Sequence, residues 1–209
     1  MKVNEIFLSI QGESKSIGLP TVFVRFTGCN LRCSYCDTKY AYDEGYDMSC
    51  DDIVARVEEL GCKRVCLTGG EPLLQKDIQC LMDRLCDYEV SIETNGSIDI
   101  SKFKLGNMHR FVMDVKLDSS ECYNKMILSN FEYLKDSDEI KFVVGSRLDY
   151  ERAKEVINTY HRRGQLIISP VFGKIDYAKI VEWILQDKLD IRFQLQIHKI
   201  IWDKDKRGV

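Results

Sequence analysis

Eight short apolar, β-branched segments recur along the chain, and helical patterns separate several of them. They cover residues 6–10, 21–26, 64–68, 89–94, 111–115, 140–144, 165–169 and 192–197. Strands that alternate with helices imply parallel βαβ units with right-handed crossovers. The clearest helix begins at Ser49, where the hydroxyl can cap with Asp52 three residues on. Ile53, Val54, Val57 and Leu60 then form an apolar stripe, and Gly61 stops it. Residues 77–86, 149–163 and 175–186 read as helices for similar reasons. The chain has 209 residues, short of the roughly 250 of a complete eight-fold barrel. The expected fold is α/β: an incomplete, open (β/α) barrel with mainly parallel strands, in one domain over residues 1–209. Ligands then belong at the carboxyl ends of the strands.

Those strand ends carry the chemistry. Cys29, Cys33 and Cys36 follow the segment 21–26 in the run GCNLRCSYCDT, a Cys-x3-Cys-x2-Cys triplet. Three thiolates at this spacing can occupy three corners of one metal site, and no fourth cysteine follows closely. Structural zinc sites are closed by four protein ligands. Three soft ligands and an open position suit an iron–sulfur cluster with one exchangeable corner. Asn30, Arg32 and Ser34 between the cysteines argue against a buried core strand.

The segment 64–68 runs into Gly69-Gly70-Glu71-Pro72, the next ends in Glu93-Thr94-Asn95-Gly96, and the one after delivers Asp114-Val115-Lys116. Adjacent glycines let backbone groups approach a ligand closely. Glu71 can accept from a cationic ammonium group and Glu93 from hydroxyls. In isolation Gly69-Gly70 is a tight turn; beside the triplet it reads as a ligand cradle.

Composition narrows the setting. With 44% hydrophobic and 30% charged residues, the chain is an ordinary globular one. A net charge of −3 offers no field for nucleic acid or an anionic membrane. The odd count of nine cysteines and the polar start Met1-Lys-Val-Asn-Glu point to a reducing, cytoplasmic location. Cys50, Cys62, Cys66, Cys80, Cys86 and Cys122 are dispersed and are expected to be buried thiols, not a second cluster.

The triplet, with Tyr35 just before its last cysteine, and the Gly-Gly-Glu-Pro segment resemble the radical S-adenosylmethionine superfamily. That resemblance implies a 4Fe–4S cluster held by Cys29, Cys33 and Cys36. The amino and carboxylate groups of S-adenosylmethionine would chelate the fourth iron. A narrower resemblance, to the 7-carboxy-7-deazaguanine synthase family, comes from Gln11-Gly12-Glu13, Gly18-x-Pro20, Arg25, Cys36-Asp37-Thr38 and Gln194-Leu-Gln196-Ile-His198-Lys199. It implies a carboxylated pterin substrate bound by Ile10, Gln11, Gly12, Glu13, Arg25 and Thr68, with His198 as a further contact, and magnesium bound by Thr38. Tyr35, Cys36, Asp37, Gly70, Glu71, Glu93, Asp114, Val115 and Lys116 are then expected around the cofactor. A flavodoxin or ferredoxin donor and a homodimer are further implications.

The residues make sense of these roles. Arg25 offers a planar fork for a carboxylate, although an arginine on a strand face can also simply snorkel. Thr38 supplies a hard oxygen suited to magnesium. Ser14 stands where the family often has glycine, and the tail from Trp202 to Val209 lacks the terminal proline of some relatives, leaving its role open. Two other readings stay open. A glycyl-radical-enzyme activase would share the cluster motif, and a zinc-binding interaction module would use the triplet alone.

Overall fold

The computed structural model describes residues Met1–Val209. Nine strands form one sheet: β1 (Lys2–Ile10), β2 (Pro20–Phe26), β3 (Tyr46–Asp47), β4 (Arg64–Gly69), β5 (Glu89–Thr94), β6 (His109–Val115), β7 (Glu139–Val144), β8 (Gln165–Pro170) and β9 (Arg192–Phe193). Their order is β3-β1-β2-β4-β5-β6-β7-β8-β9, so the first and last strands do not meet and the barrel is open. Every pairing from β2 to β9 is parallel. The antiparallel β1–β2 and β1–β3 pairs depart from that pattern. β1 also starts four residues earlier than the segment 6–10.

Five helices flank the sheet: α1 (Cys50–Glu59), α2 (Ile78–Arg84), α3 (Arg147–Tyr160), α4 (Tyr177–Asp187) and α5 (His198–Ile201). α1 starts at the expected capping box, with Ser49 Oγ accepting from Asp52 N and the Asp52 carboxylate accepting from Ser49 N. Three helices are shifted or shorter than their sequence spans. α2 ends at Arg84, and α3 begins at Arg147, where Ser146 caps it by accepting from Asp149 N. The β5–β6 and β6–β7 crossovers carry short 3-10 turns in place of α-helices.

Side-chain alternation along the parallel strands sorts the residues into two layers. Val22, Val24, Phe26, Val65, Leu67, Val90, Ile92, Phe111, Met113, Val115, Ile140, Phe142 and Val144 join the helix-facing core with Ile53, Leu81 and Tyr150. The opposite parity of the same strands puts Arg25, Thr68, Glu93, Asp114 and Lys141 on the inner side, around one cavity. At the start of β6 and β7 the inner parity instead carries a buried ion pair, Arg110 Nε to Glu139 Oε1 at 2.9 Å. The loop between β1 and β2 plugs that end: Ser16 Oγ accepts from Arg110, and Lys15 N donates to Glu139.

Residues 194–197 are not strand. Gln194 turns its amide onto the backbone of Ser14, accepting from Ser14 N at 2.7 Å and donating to Ser14 O at 2.9 Å. Ser14 adopts a left-handed φ of 67°, which accounts for the preference for glycine there. His198 therefore opens α5 and does not end a strand. Of the six cysteines outside the triplet, Cys66 and Cys122 are buried as expected. Cys50 and Cys62 are half-buried, and Cys80 and Cys86 are exposed. Cys80 points outward from a short helix and Cys86 lies beyond its end. Cys62 Sγ, in the loop before β4, meets Pro20 O at the start of β2 at 3.2 Å.

Candidate active site

A cavity of about 850 Å³ opens at the carboxyl ends of the parallel strands, a size that suits small-molecule ligands. Cys29, Cys33 and Cys36 line it from the loop after β2, and Tyr35, Asp37 and Thr38 line it with them. That loop is held on several sides. Leu31 is buried beneath it, and Leu31 N donates to Cys29 Sγ at 3.4 Å. Asn95 Nδ2 reaches the same sulfur at 3.6 Å. Ser34 binds the turn after β6 through Ser119 O and Ser120 O, and Asp149 at the start of α3 braces that turn by accepting from Ser119 N.

The strand β4 is spliced directly onto the loop. Glu71 N donates to Gly28 O at 2.8 Å, and a Cβ on Gly70 would lie 2.0 Å from Gly28 O and 3.1 Å from the Cys29 Cβ. Gly70 thus lets two backbones touch while it lines the cavity. Glu71 is placed differently from its sequence reading. Its carboxylate is fully buried and does not line the cavity. It accepts from Leu73 N, Thr94 Oγ1 and Asn95 N at 3.0, 3.0 and 2.6 Å. Glu71 therefore sets Asn95, which in turn meets Cys29, and has no oxygen turned toward an ammonium ligand. Val115 is also off the cavity: strand alternation turns it into the helix-facing core once Asp114 faces inward.

The remaining expected residues come together. Ile10, Gln11, Gly12 and Glu13 line one wall with Arg25, Thr68, Glu93 and His198. Glu93 accepts from Thr68 Oγ1 at 2.8 Å and Gln11 Nε2 at 3.3 Å. It thereby stands among the residues expected to read substrate as well as at the rim assigned to cofactor. Burial holds the His198 imidazole below its ordinary pKa, against the opposing pull of Glu13. Arg25 Nε donates to Glu5 at 2.8 Å, and Tyr40 shares that carboxylate. Both Arg25 Nη nitrogens are left without a protein acceptor. On the far wall Lys116 Nζ holds Asp114 Oδ2 at 2.6 Å. Burial alone would raise the Asp114 carboxyl, yet the ammonium groups of Lys116 and Lys141 keep it below its usual range.

Three features were missed in the sequence. Lys141 bridges Glu13 and Asp114; its one signal is a lysine between Ile140 and Phe142, at the inner parity of β7. Lys199 Nζ reaches Asp37 at 2.6 Å and ties α5 to the cysteine loop. The tail borders the cavity through Lys204, Asp205 and Val209, and Arg207 lies 3.7 Å from the Tyr40 ring centroid.

The donor set fits an iron–sulfur cluster: it offers three cavity-facing thiols, with no fourth cysteine among the lining residues. Two buried polar atoms at the cavity, Tyr35 Oη and Glu13 Oε1, lack partners, as a site built for polar ligands requires. Thr38 Oγ1 lies 3.7 Å from Cys36 Sγ and offers magnesium a single hard oxygen.

An open, mostly parallel sheet with a three-cysteine loop at its carboxyl rim defines the radical S-adenosylmethionine class of enzymes. Residues 23–184 match the Radical SAM superfamily. Over its whole length the chain is 44% identical to the 7-carboxy-7-deazaguanine synthase of Clostridium acetobutylicum and spans 99% of that protein. It is 43% identical to the 7-carboxy-7-deazaguanine synthase of Methanospirillum hungatei, over 96% of this chain and 85% of that one. The crystal structure of QueE from Escherichia coli superposes with a TM-score of 0.76 at 24% identity, covering 93% of each chain. The chain belongs to the radical SAM superfamily and, within it, to the 7-carboxy-7-deazaguanine synthase family. No helix is long and apolar enough to cross a membrane.

Proposed function

We propose that this enzyme is a lyase converting 6-carboxy-5,6,7,8-tetrahydropterin to 7-carboxy-7-deazaguanine, with ring contraction and loss of ammonia, in deazapurine (queuosine) biosynthesis. The observation that carries this reading is a pair of unsatisfied groups in the cysteine-lined cavity. Arg25 presents two free Nη nitrogens and Glu13 one free buried oxygen. A ligand with a carboxylate and an N–H edge answers both, and a carboxypterin has both. The names of the full-length relatives support the same product, and they favour a synthase over a glycyl-radical-enzyme activase.

When bound, a 4Fe–4S cluster would supply one-electron reduction to S-adenosylmethionine, and with it the means of taking hydrogen from the substrate. Cys29, Cys33 and Cys36 would hold that cluster, and Tyr35, Gly70, Asp114 and Lys116 would face the cofactor. Arg25 would pin the substrate carboxylate while Gln11, Glu13, Thr68 and His198 read the pterin edge. Pinning both ends fixes the carboxylate-bearing carbon, from which hydrogen is taken, in the orientation that reaction needs. Thr38 would give magnesium one oxygen and leave other positions for substrate and water. The reading includes a flavodoxin or ferredoxin as electron donor, a homodimer by family likeness, and a cytoplasmic location, which suits nine free cysteines.

The test is anaerobic incubation of the cluster-loaded protein with the pterin, S-adenosylmethionine, magnesium and a low-potential reductant. 7-Carboxy-7-deazaguanine is the expected product by mass spectrometry. An intact cluster with no such product contradicts the reading.

A further inference from the structure

Lys141 stands within β7 between the apolar Ile140 and Phe142, and its Nζ lies between two carboxylates. It donates to Glu13 Oε2 at 3.0 Å and lies 3.2 Å from Asp114 Oδ1. Asp114 in turn holds Lys116 through its other oxygen. The four groups alternate in charge along the cavity wall: Lys116, Asp114, Lys141, Glu13. Asp114 and Lys116 come from β6, Lys141 from β7, and Glu13 from the loop after β1, 128 residues away in sequence from Lys141. All four line the cavity, and the Lys141 side chain is only 9% exposed.

This pairing settles which way Glu13 can work. One of its oxygens is occupied by Lys141, while the other is buried with no partner. An ionised carboxylate only accepts hydrogen bonds, and a buried acceptor left empty is costly. We propose that Lys141 is a positioning residue that fixes Glu13 with its free oxygen toward substrate and so confines the site to ligands presenting an N–H donor there. The inference rests on the functional reading above, in which Glu13 reads the pterin edge. It adds the group that orients Glu13 and the sign of the recognition. A ring bearing a lone pair at that place meets the anion head-on and is refused, because a site built for a hydrogen bond discriminates strongly against its absence. Burial on its own would lower the Lys141 ammonium, but Asp114 and Glu13 hold it well above its ordinary value, so it stays charged.

The network also joins the two halves of the site. Without Lys141, Glu13 loses the ammonium group that holds one of its oxygens at 3.0 Å, and nothing fixes the direction of the other. That loss spoils substrate reading before it affects the cysteine loop, since none of the four residues lies in that loop.

The experiment compares Lys141→Met, Lys141→Arg, Glu13→Gln and the double variant Lys141→Met/Glu13→Gln as cluster-loaded holoenzymes turning over 6-carboxy-5,6,7,8-tetrahydropterin. Lys141→Met should raise KM for the pterin about 10- to 100-fold, the scale of one lost charge-assisted contact. The turnover rate at saturation should fall much less. Lys141→Arg should recover most of the loss because it keeps the charge. The double variant should be no worse than Glu13→Gln alone, since Lys141 acts through Glu13. An unchanged KM with a lowered kcat marks a merely structural lysine and overturns the inference, as do fully additive losses in the double variant. Should Lys141→Met fail to load its cluster, Lys141→Gln reads the same comparison, and an unchanged KM there overturns the inference equally. A wild-type protein that neither binds nor converts the pterin overturns the functional reading and this inference with it. Wild-type turnover with an unaffected Lys141→Met overturns the inference alone.

Discussion

A Cβ on Gly12 would stand 2.0 Å from Nδ1 of His198, so the absence of a side chain at Gly12 is what lets the imidazole close one wall of the cavity. Gly12 O also accepts from Ile197 N at 3.1 Å. The loop after β1 and the segment before α5 therefore meet backbone to backbone. This contact lies beside Glu13, on the wall assigned here to the pterin.

Gly12→Ala must displace His198 or the loop that carries Glu13. Overpacking of this kind costs about 1–3 kcal/mol, and kcat/KM for the pterin should fall on the order of 10- to 100-fold. Adding His198→Ala removes the clash and should restore part of that loss despite deleting a contact. If Gly12→Ala keeps full kcat/KM, the glycine is not needed to seat the histidine.

Much of the site was legible because strand ends declare themselves locally. The cysteine triplet, Gly69-Gly70 and Asp114-Val115-Lys116 each follow an apolar run, and strand parity alone assigns Asp114 inward. The same parity, applied to the next residue, would have moved Val115 into the core. Glu71 was misread because its partners, Thr94 and Asn95, lie on the next strand end, and nothing in Gly-Gly-Glu-Pro reveals that they consume its oxygens. Lys141 was missed for the same kind of reason: its meaning lies in a partner 128 residues away. The antiparallel direction of β1 escaped notice because a half-buried strand carries the same alternation whichever way it runs.

Glu71 gives the fold a pH dependence of definite sign. Burial pushes its carboxyl up to about 7, even though hydrogen bonds from Asn95, Leu73 and Thr94 pull it down. Between its ordinary value of 4.5 and about 7, the unfolded chain releases a proton that the folded chain keeps. Its stabilising contribution is therefore complete at low pH and is lost as pH rises through that window, by about 3 kcal/mol. Glu71→Gln has no proton to lose. In denaturant titrations from pH 5 to 8, the wild type should lose stability relative to this variant, whereas parallel profiles would contradict the assignment.

Thr38→Ala removes a single hydroxyl and leaves Cys29, Cys33 and Cys36 in place. Iron and sulfide content should match the wild type. Turnover of the pterin should drop about 10-fold or more and lose its stimulation by magnesium, because the ion is expected to orient the substrate. Full turnover with unchanged magnesium dependence would make Thr38 a turn residue beside the cluster loop. Cys33→Ala, by contrast, should lose the cluster and all activity.

The central claim is that one cavity aligns the cofactor with the carboxylate-bearing carbon of the pterin. Substrate deuterated at that carbon tests it most directly. On this account the substrate hydrogen passes to the 5′ carbon and the cofactor is re-formed as each turnover ends. With cluster-loaded protein under reducing conditions, deuterium should therefore appear in the 5′ position of recovered S-adenosylmethionine, and 7-carboxy-7-deazaguanine should form alongside. Formation of the product with no deuterium in the cofactor would contradict the account, because the hydrogen would then have left the substrate by a route this cavity does not provide.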